Sequence, residues 1–312
     1  AVMTLYTSAA VAPSVMTVPL PIASSEITAP LLYPVYHWVR PYRAHAFEVA
    51  LYAEDPTENP DAEPIDTMTT QLSEIYDQKP RITQGFFYWR VRSLDEAGEP
   101  ASDWSPVLKF RNDPKDNWEI AVFGDSISHG GGHISYGPAD HEFSWLSYLD
   151  FPAINLSMSG DTSETMLERF EADVLPFHPR YLLILNGTNS LRAGVSAAEV
   201  IADLEELKAR CLANGIRPIF LTLPPINPEN IARAFDEPTA DDWQTQFSLV
   251  NAFLRTEVHI DVAAAFSTHP LLPTELALDG LHEDVIGKQL IAQTVNRAWP
   301  ETKQQADRLP AQ

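Results

Sequence analysis

The apolar run "WEIAVF" stops at Gly124, and Asp125, Ser126 and a glycine-rich stretch follow it in "GDSISHGGG". Such a stretch can cradle a phosphate, present a nucleophile or only turn the chain. A phosphate loop needs G-x-x-x-x-G-K-[ST]. Here His129 stands five residues after Gly124 and no lysine follows. The dinucleotide pattern G-x-G-x-x-G fails because Ser126 holds its second glycine position, and the G-x-S-x-G elbow fails because Ser128 holds its last. The nucleophile reading fares better. Ser126 lies just past a predicted buried strand, so its hydroxyl is lifted to the strand's carboxyl end, and Gly124 permits a tight departure. A serine hydroxyl is a weak nucleophile and needs a base.

Asp279 and His282, three apart in "LALDGLHED", are the base candidates. In a tight turn the carboxylate can reach the imidazole, fix its tautomer and stabilise the imidazolium. The same D-x-x-H also fits a helix start with Asp279 as its cap. Gly160 in "NLSMSGDTS" and Asn189 in "LNGTNS" each follow an apolar run. They can offer a backbone N–H and an amide N–H to a developing oxyanion. They also fit a turn glycine and a helix cap.

The elements that must carry these residues fall into two textures. Residues 1 to about 112 are rich in proline and aromatic residues. Alternating runs, Phe47–Leu51, Phe87–Val91 and Val107–Phe110, are separated by turn signals such as "DEAGEPASD". They describe an antiparallel all-β sandwich. Trp38 and Trp104 are expected to plug its core or cover its edges. The first 25 residues, rich in Pro, Ala, Ser and Thr, read as an added strand or a loose arm. A proline-broken polar segment, Arg111–Asn117, marks the domain boundary.

From about residue 118 short apolar runs alternate with amphipathic helices, which calls for a parallel sheet covered by helices. The predicted strands are Glu119–Phe123, Ala153–Ser157, Tyr181–Leu185, Pro218–Leu223 and Val258–Val262. The predicted helices are Thr162–Asp173, Ser196–Ala213, Asp241–Thr256 and Asp284–Ala298. Ser196 and Glu199 form a capping box, and Gly215 stops that helix. In such sheets the chemistry sits at the carboxyl ends of the strands.

Four blocks, "FGDSIS", "NLSMSGDTS", "NGTNS" and "DGLH", in that order over residues 119–298, resemble those of the SGNH hydrolases of the GDSL esterase superfamily. Ile127 stands where the family name has leucine. The resemblance implies a flavodoxin-like three-layer α/β fold. It implies Ser126 as nucleophile, His282 as base and Asp279 as its orienter, with Gly160 and Asn189 completing the oxyanion hole, and no cofactor. Family substrates include acetylated sugars, lysophospholipids, thioesters and simple esters. Residues 28–111, through "YHWV", "FEVALY", "YWRVRSLDEAG" and "SDWSP", resemble a fibronectin type III domain. The expected layout is therefore a fibronectin type III-like domain over 1–112 and a hydrolase domain over 118–312. This layout resembles secreted carbohydrate-active enzymes. The expected activity is a carbohydrate O-acetyl esterase. Another esterase of the same family and a glycan-binding protein with an inactive hydrolase-like domain are the alternatives.

A net charge of −22 argues against nucleic acid and anionic lipid as partners, and leaves a small-molecule or glycan ester as the expected one. No run of eighteen apolar residues is present, so membrane insertion is not expected. Ala1 in place of an initiator Met makes a trimmed chain the expectation, with any signal peptide removed and an extracellular or periplasmic location. The single cysteine, Cys211, allows no intramolecular disulfide and falls on the apolar face of a helix. His129, His133 and His141 could line the pocket or serve the structure; His178, His259 and His269 read as structural. The stretch "ISHGGGHIS" reads as a flexible rim.

Overall fold

The computed structural model describes residues 18–22 and 30–312. Most of the lead expected as a strand or arm, residues 1–17 and 23–25, lies outside the described residues. Its described part supplies β1 (Leu20–Pro21). Six more strands follow: β2 (Val35–Val39), β3 (Ala46–Tyr52), β4 (Asp66–Thr70), β5 (Glu74–Tyr76), β6 (Phe87–Leu94) and β7 (Leu108–Phe110). They form two antiparallel sheets, ordered β1-β2-β5 and β4-β3-β6-β7. Strand alternation puts Phe47, Val49 and Leu51 on one face. That face meets Tyr36, Trp38, Trp89, Val91 and Phe110 in one apolar core shared by both sheets. Trp38 is fully buried there, whereas Trp104 is half-buried under the guanidiniums of Arg90 and Arg92.

The second part is a parallel five-stranded sheet of β8 (Ile120–Gly124), β9 (Ile154–Asn155), β10 (Tyr181–Leu185), β11 (Arg217–Leu221) and β12 (His259–Ile260). Its order is β12-β11-β10-β8-β9. The chain thus steps from β8 to one side for β9 and to the other for β10, so a crevice opens between the carboxyl ends of β8 and β10. The β8 and β10 strands are buried along their whole length, which explains their unbroken apolar sequence.

Seven α-helices complete this part: α1 (Ser126–His129), α2 (Ser163–Asp173), α3 (Thr188–Arg192), α4 (Ala197–Ala213), α5 (Pro228–Phe235), α6 (Trp243–Leu254) and α7 (Val285–Asp307). The Ser196 hydroxyl accepts the Glu199 N–H at 3.2 Å and the Glu199 carboxylate reaches back, the box expected from sequence. Cys211 is buried on the same helix, as expected. Helix α5 was not expected, although Asn227 caps it and Pro228 opens it. Helix α7 runs nine residues beyond its expected end at Ala298 and continues through Pro300. Among the described residues no helix is long and apolar enough to cross a membrane.

The two parts are stitched together. Leu31 pairs with Asn155 beside β9, and Leu32 and Tyr33 are buried in the core of the second part. The segment expected as a boundary is packed: Asn112 is fully buried, and its amide donates to the carbonyls of Leu31 and Arg81.

Candidate active site

Gly124 ends β8 because no side chain fits there. A Cβ at this position would run into the Leu185 carbonyl at the end of β10. Asp125 then turns the chain, its Oδ1 accepting the Ile127 N–H at 2.9 Å as the cap of α1. Ser126 is thereby the first residue of α1, at the mouth of the crevice between β8 and β10.

The Ser126 Oγ lies 2.8 Å from His282 Nε2. His282 Nδ1 lies 2.8 Å from Asp279 Oδ2. The other carboxylate oxygen, Oδ1, accepts the backbone N–H groups of Leu281 and His282 at 2.8 and 2.7 Å. Asp279 therefore shapes a tight turn and faces the imidazole at once; it does not cap α7, whose N-terminal cap is Asp284. Burial alone would push the Asp279 carboxyl up. The hydrogen bonds and charge of His282 outweigh it and hold the group below the usual carboxylate range. An ionised carboxylate only accepts, so Nδ1 carries the proton and Nε2 is left to accept from Ser126.

Gly160 follows β9 with φ of 88°, in the left-handed region that suits glycine, and nothing stands where its Cβ would be. Asn189 sits in α3, just past β10, and its Nδ2 donates to the Asp161 carbonyl at 2.8 Å. That bond uses one of its two amide N–H groups. Arg169 braces this corner. It donates to the carbonyls of Leu156 and Gly124 and pairs with the Asp161 carboxylate. Ser126, Gly160, Asn189, Asp279 and His282 all border one cavity of about 690 Å³.

Behind the serine lies a buried charge cluster. The Lys288 Nζ donates to the Ile127 carbonyl at 2.9 Å and stands 4.0 Å from Glu283 Oε2. Neither Glu283 oxygen has a hydrogen-bond partner among the described residues. Burial pushes Asp125 up to about 7, against the Ile127 N–H bond that favours its charge. Burial also lowers the Lys288 ammonium, against the pull of Glu283.

The stretch expected as a flexible rim is packed along most of its length. Ile127 through Gly132 are buried, and only His133 to Ser135 are exposed. A Cβ at Gly131 would lie 2.6 Å from the Tyr136 carbonyl and one at Gly132 2.6 Å from the Glu283 carbonyl, so the glycines answer to close packing. His129 serves the structure. Its Nδ1 accepts the Ser159 N–H at 3.2 Å and its Nε2 lies 2.8 Å from the Tyr33 carbonyl, so the neutral ring carries its proton on Nε2. Burial holds it down at about 4.

The sequence reading missed part of the cavity wall. Tyr76, Arg192, Phe235 and Glu237 border the same space. Arg192 stands one helical turn after Asn189, a spacing that could have flagged it. No local signal marks Tyr76, which reaches the cavity from the front sheets.

The model of the GDSL-like lipase/acylhydrolase family matches residues 122–290. A curated relative, the uncharacterized lipoprotein YqeF of Bacillus subtilis, is 28% identical over 120 residues, 35% of this chain and 49% of that protein. The chain thus spans about half the length of that relative. Among solved structures, LAE5, an alpha/beta hydrolase enzyme from the metagenome of Lake Arreo, is 22% identical with a TM-score of 0.47, covering 58% of this chain and 94% of its own. Axe2, an acetylxylan esterase from Geobacillus stearothermophilus, is 20% identical with a TM-score of 0.44, covering 58% and 93%. With the family match spanning more than half of its residues, the chain belongs to the GDSL-like lipase/acylhydrolase family, a family of ester hydrolases.

Proposed function

We propose that the chain is a serine esterase working through an acyl-enzyme, with Ser126 as nucleophile, His282 as base and Asp279 as orienter. The observation that carries this reading is the unbroken chain of contacts, Ser126 Oγ to His282 Nε2 at 2.8 Å and His282 Nδ1 to Asp279 Oδ2 at 2.8 Å, at the edge of an open cavity. His282 takes the Ser126 proton as Oγ attacks the ester carbonyl. The Ser126 N–H, the Gly160 N–H and the second Asn189 amide N–H hold the oxyanion. The imidazolium then protonates the departing alcohol. Water, giving its proton to the same imidazole, attacks the acyl-enzyme and releases the acid and the serine.

The substrate we favour is an O-acetylated carbohydrate. The cavity is far larger than an acetyl group, and its wall mixes aromatic rings with a few polar side chains, as sites for polar organic ligands do. The charge of −22 weighs against docking on an anionic membrane. We further read the two antiparallel sheets as a fibronectin type III-like sandwich ahead of the hydrolase domain, on the strength of their shared core. An exported protein fits this reading, in keeping with the lipoprotein name of the Bacillus relative. A panel of acetylated glycans against long-acyl esters tests the substrate class. Preference for long acyl chains would move the assignment to a lipase or thioesterase type. No turnover and no labelling of Ser126 by a fluorophosphonate would leave a glycan-binding protein.

A further inference from the structure

An acetyl group fills little of a cavity of about 690 Å³, so most of that space must house the alcohol part of an ester. One wall of it comes from the front sheets. Tyr76, at the end of β5, is held there by pairing with Val35 of β2. Its ring meets the buried His129 ring edge-on, with centroids 6.0 Å apart. The approach depends on a bare glycine in the loop after Ser126. A Cβ at Gly137 would lie 2.7 Å from Glu74 Oε2 and 3.2 Å from the Tyr76 hydroxyl. The Tyr76 hydroxyl makes no hydrogen bond among the described residues, although the residue is only partly exposed and borders the cavity. Such a group is a donor and acceptor in waiting. Tyr136 borders the same space, its ring stacked on Phe143 with centroids 4.5 Å apart.

Local charge narrows the ligand. The Glu74 carboxylate and the Tyr76 hydroxyl both stand against the bare Gly137, and one nitrogen of the Arg192 guanidinium pairs with Glu237 at 3.2 Å. An anionic alcohol part meets repulsion from Glu74 on one side, and on the other a guanidinium whose charge Glu237 already offsets. A purely aliphatic one leaves the phenol unpaired in the complex, which costs affinity. A neutral ring bearing several hydroxyls satisfies both: its C–H face lies on the aromatic rings and its oxygens take the phenol.

We propose that Tyr76 forms, with the front sheets as its support, a leaving-group subsite for a neutral cyclic polyol, so that the front sheets select the substrate. The proposal rests on the esterase reading, and its test separates the two. The intact chain is assayed on an O-acetylated neutral methyl glycoside, an O-acetylated uronate glycoside and phenyl acetate, as parent, Tyr76→Phe and Tyr42→Phe. Tyr42 is exposed and is not part of the cavity lining. Tyr76→Phe is expected to lower the ratio of kcat/KM for the neutral glycoside over phenyl acetate about 5- to 10-fold, mainly through KM, with Tyr42→Phe at the parental ratio. The uronate is expected to be the poorer glycoside. An unchanged ratio in Tyr76→Phe, or a preference for the uronate, overturns the proposal. Calorimetric binding of the same acetylated methyl glycoside to Ser126→Ala, with and without Tyr76→Phe, reads the subsite without turnover. Weaker binding in the double variant supports the subsite even if the parent hydrolyses nothing; equal binding overturns it.

Discussion

Asp279 holds His282 twice, once by its ring through Oδ2 and once by its backbone N–H through Oδ1. The carboxylate that sets the tautomer therefore also sets the loop that carries the imidazole. Both bonds are available only because the three-residue spacing closes a tight turn ahead of α7.

Asp279→Asn keeps an oxygen for the two backbone donors but can turn an amide N–H toward Nδ1. The ring must then accept there and present Nε2–H to Ser126, the wrong tautomer for a base. Activity on aryl acetates is expected to fall on the order of 10²- to 10⁴-fold, with an unfolding temperature near the parent's. Activity within threefold of the parent would show that Asp279 does not orient the base.

Asn189→Ala removes the proposed oxyanion donor and the bond to the Asp161 carbonyl. The expected loss is about 10²- to 10³-fold in kcat with KM little changed. A change confined to KM would assign Asn189 to substrate binding instead.

His129 gives stability a pH dependence. Burial sets its folded pKa at about 4, below the unfolded value of 6.5. Between these values the unfolded chain takes the proton first, so stability falls as pH drops from about 6.5 toward 4. Asp125, pushed up to about 7, works in the opposite sense over the same range, so the effect is read as a difference. The urea unfolding free energy of the parent relative to His129→Gln is expected to fall by about 2–3 kcal/mol between pH 7 and pH 4.5. Parallel pH curves for the two proteins would remove His129 as the cause.

Lys288→Met leaves the buried Glu283 carboxylate without its cation. Breaking such a pair is expected to cost about 3–5 kcal/mol at neutral pH. Glu283 is already raised by burial, and without Lys288 it rises further above its unfolded value. The loss therefore shrinks as pH falls and the carboxyl takes a proton. Adding Glu283→Gln to Lys288→Met should recover part of it, read as a coupling in a double-mutant cycle. Additive losses would mean that the two groups do not interact.

What the sequence could and could not reveal divides along physical lines. The strands β8, β10 and β11 and the helices α2, α4 and α6 were legible because period and capping are local properties. So were the positions of Ser126, Gly160 and Asn189, each of which follows an apolar strand. Which front-sheet residue borders the cavity was not legible. Tyr76 reaches the cavity only because β5 pairs with β2 and Gly137 leaves room, two relationships that no short stretch encodes. Leu32 and Tyr33 belong to the core of the second part although they precede it by nearly ninety residues in sequence. Helix α7 passes its expected end at Ala298 and continues through Pro300, a residue that ordinarily breaks a helix interior. The glycines after Ser126 suggested flexibility, whereas their reason is contact with neighbouring backbone.

The central claim is that Ser126 is an activated nucleophile. A fluorophosphonate probe, followed by peptide mass analysis, measures this directly. One adduct on Ser126 is expected, absent in Ser126→Ala and slowed at least a hundredfold in His282→Ala, in parallel with aryl acetate hydrolysis. No adduct on Ser126, together with undiminished hydrolysis by Ser126→Ala, would contradict the account.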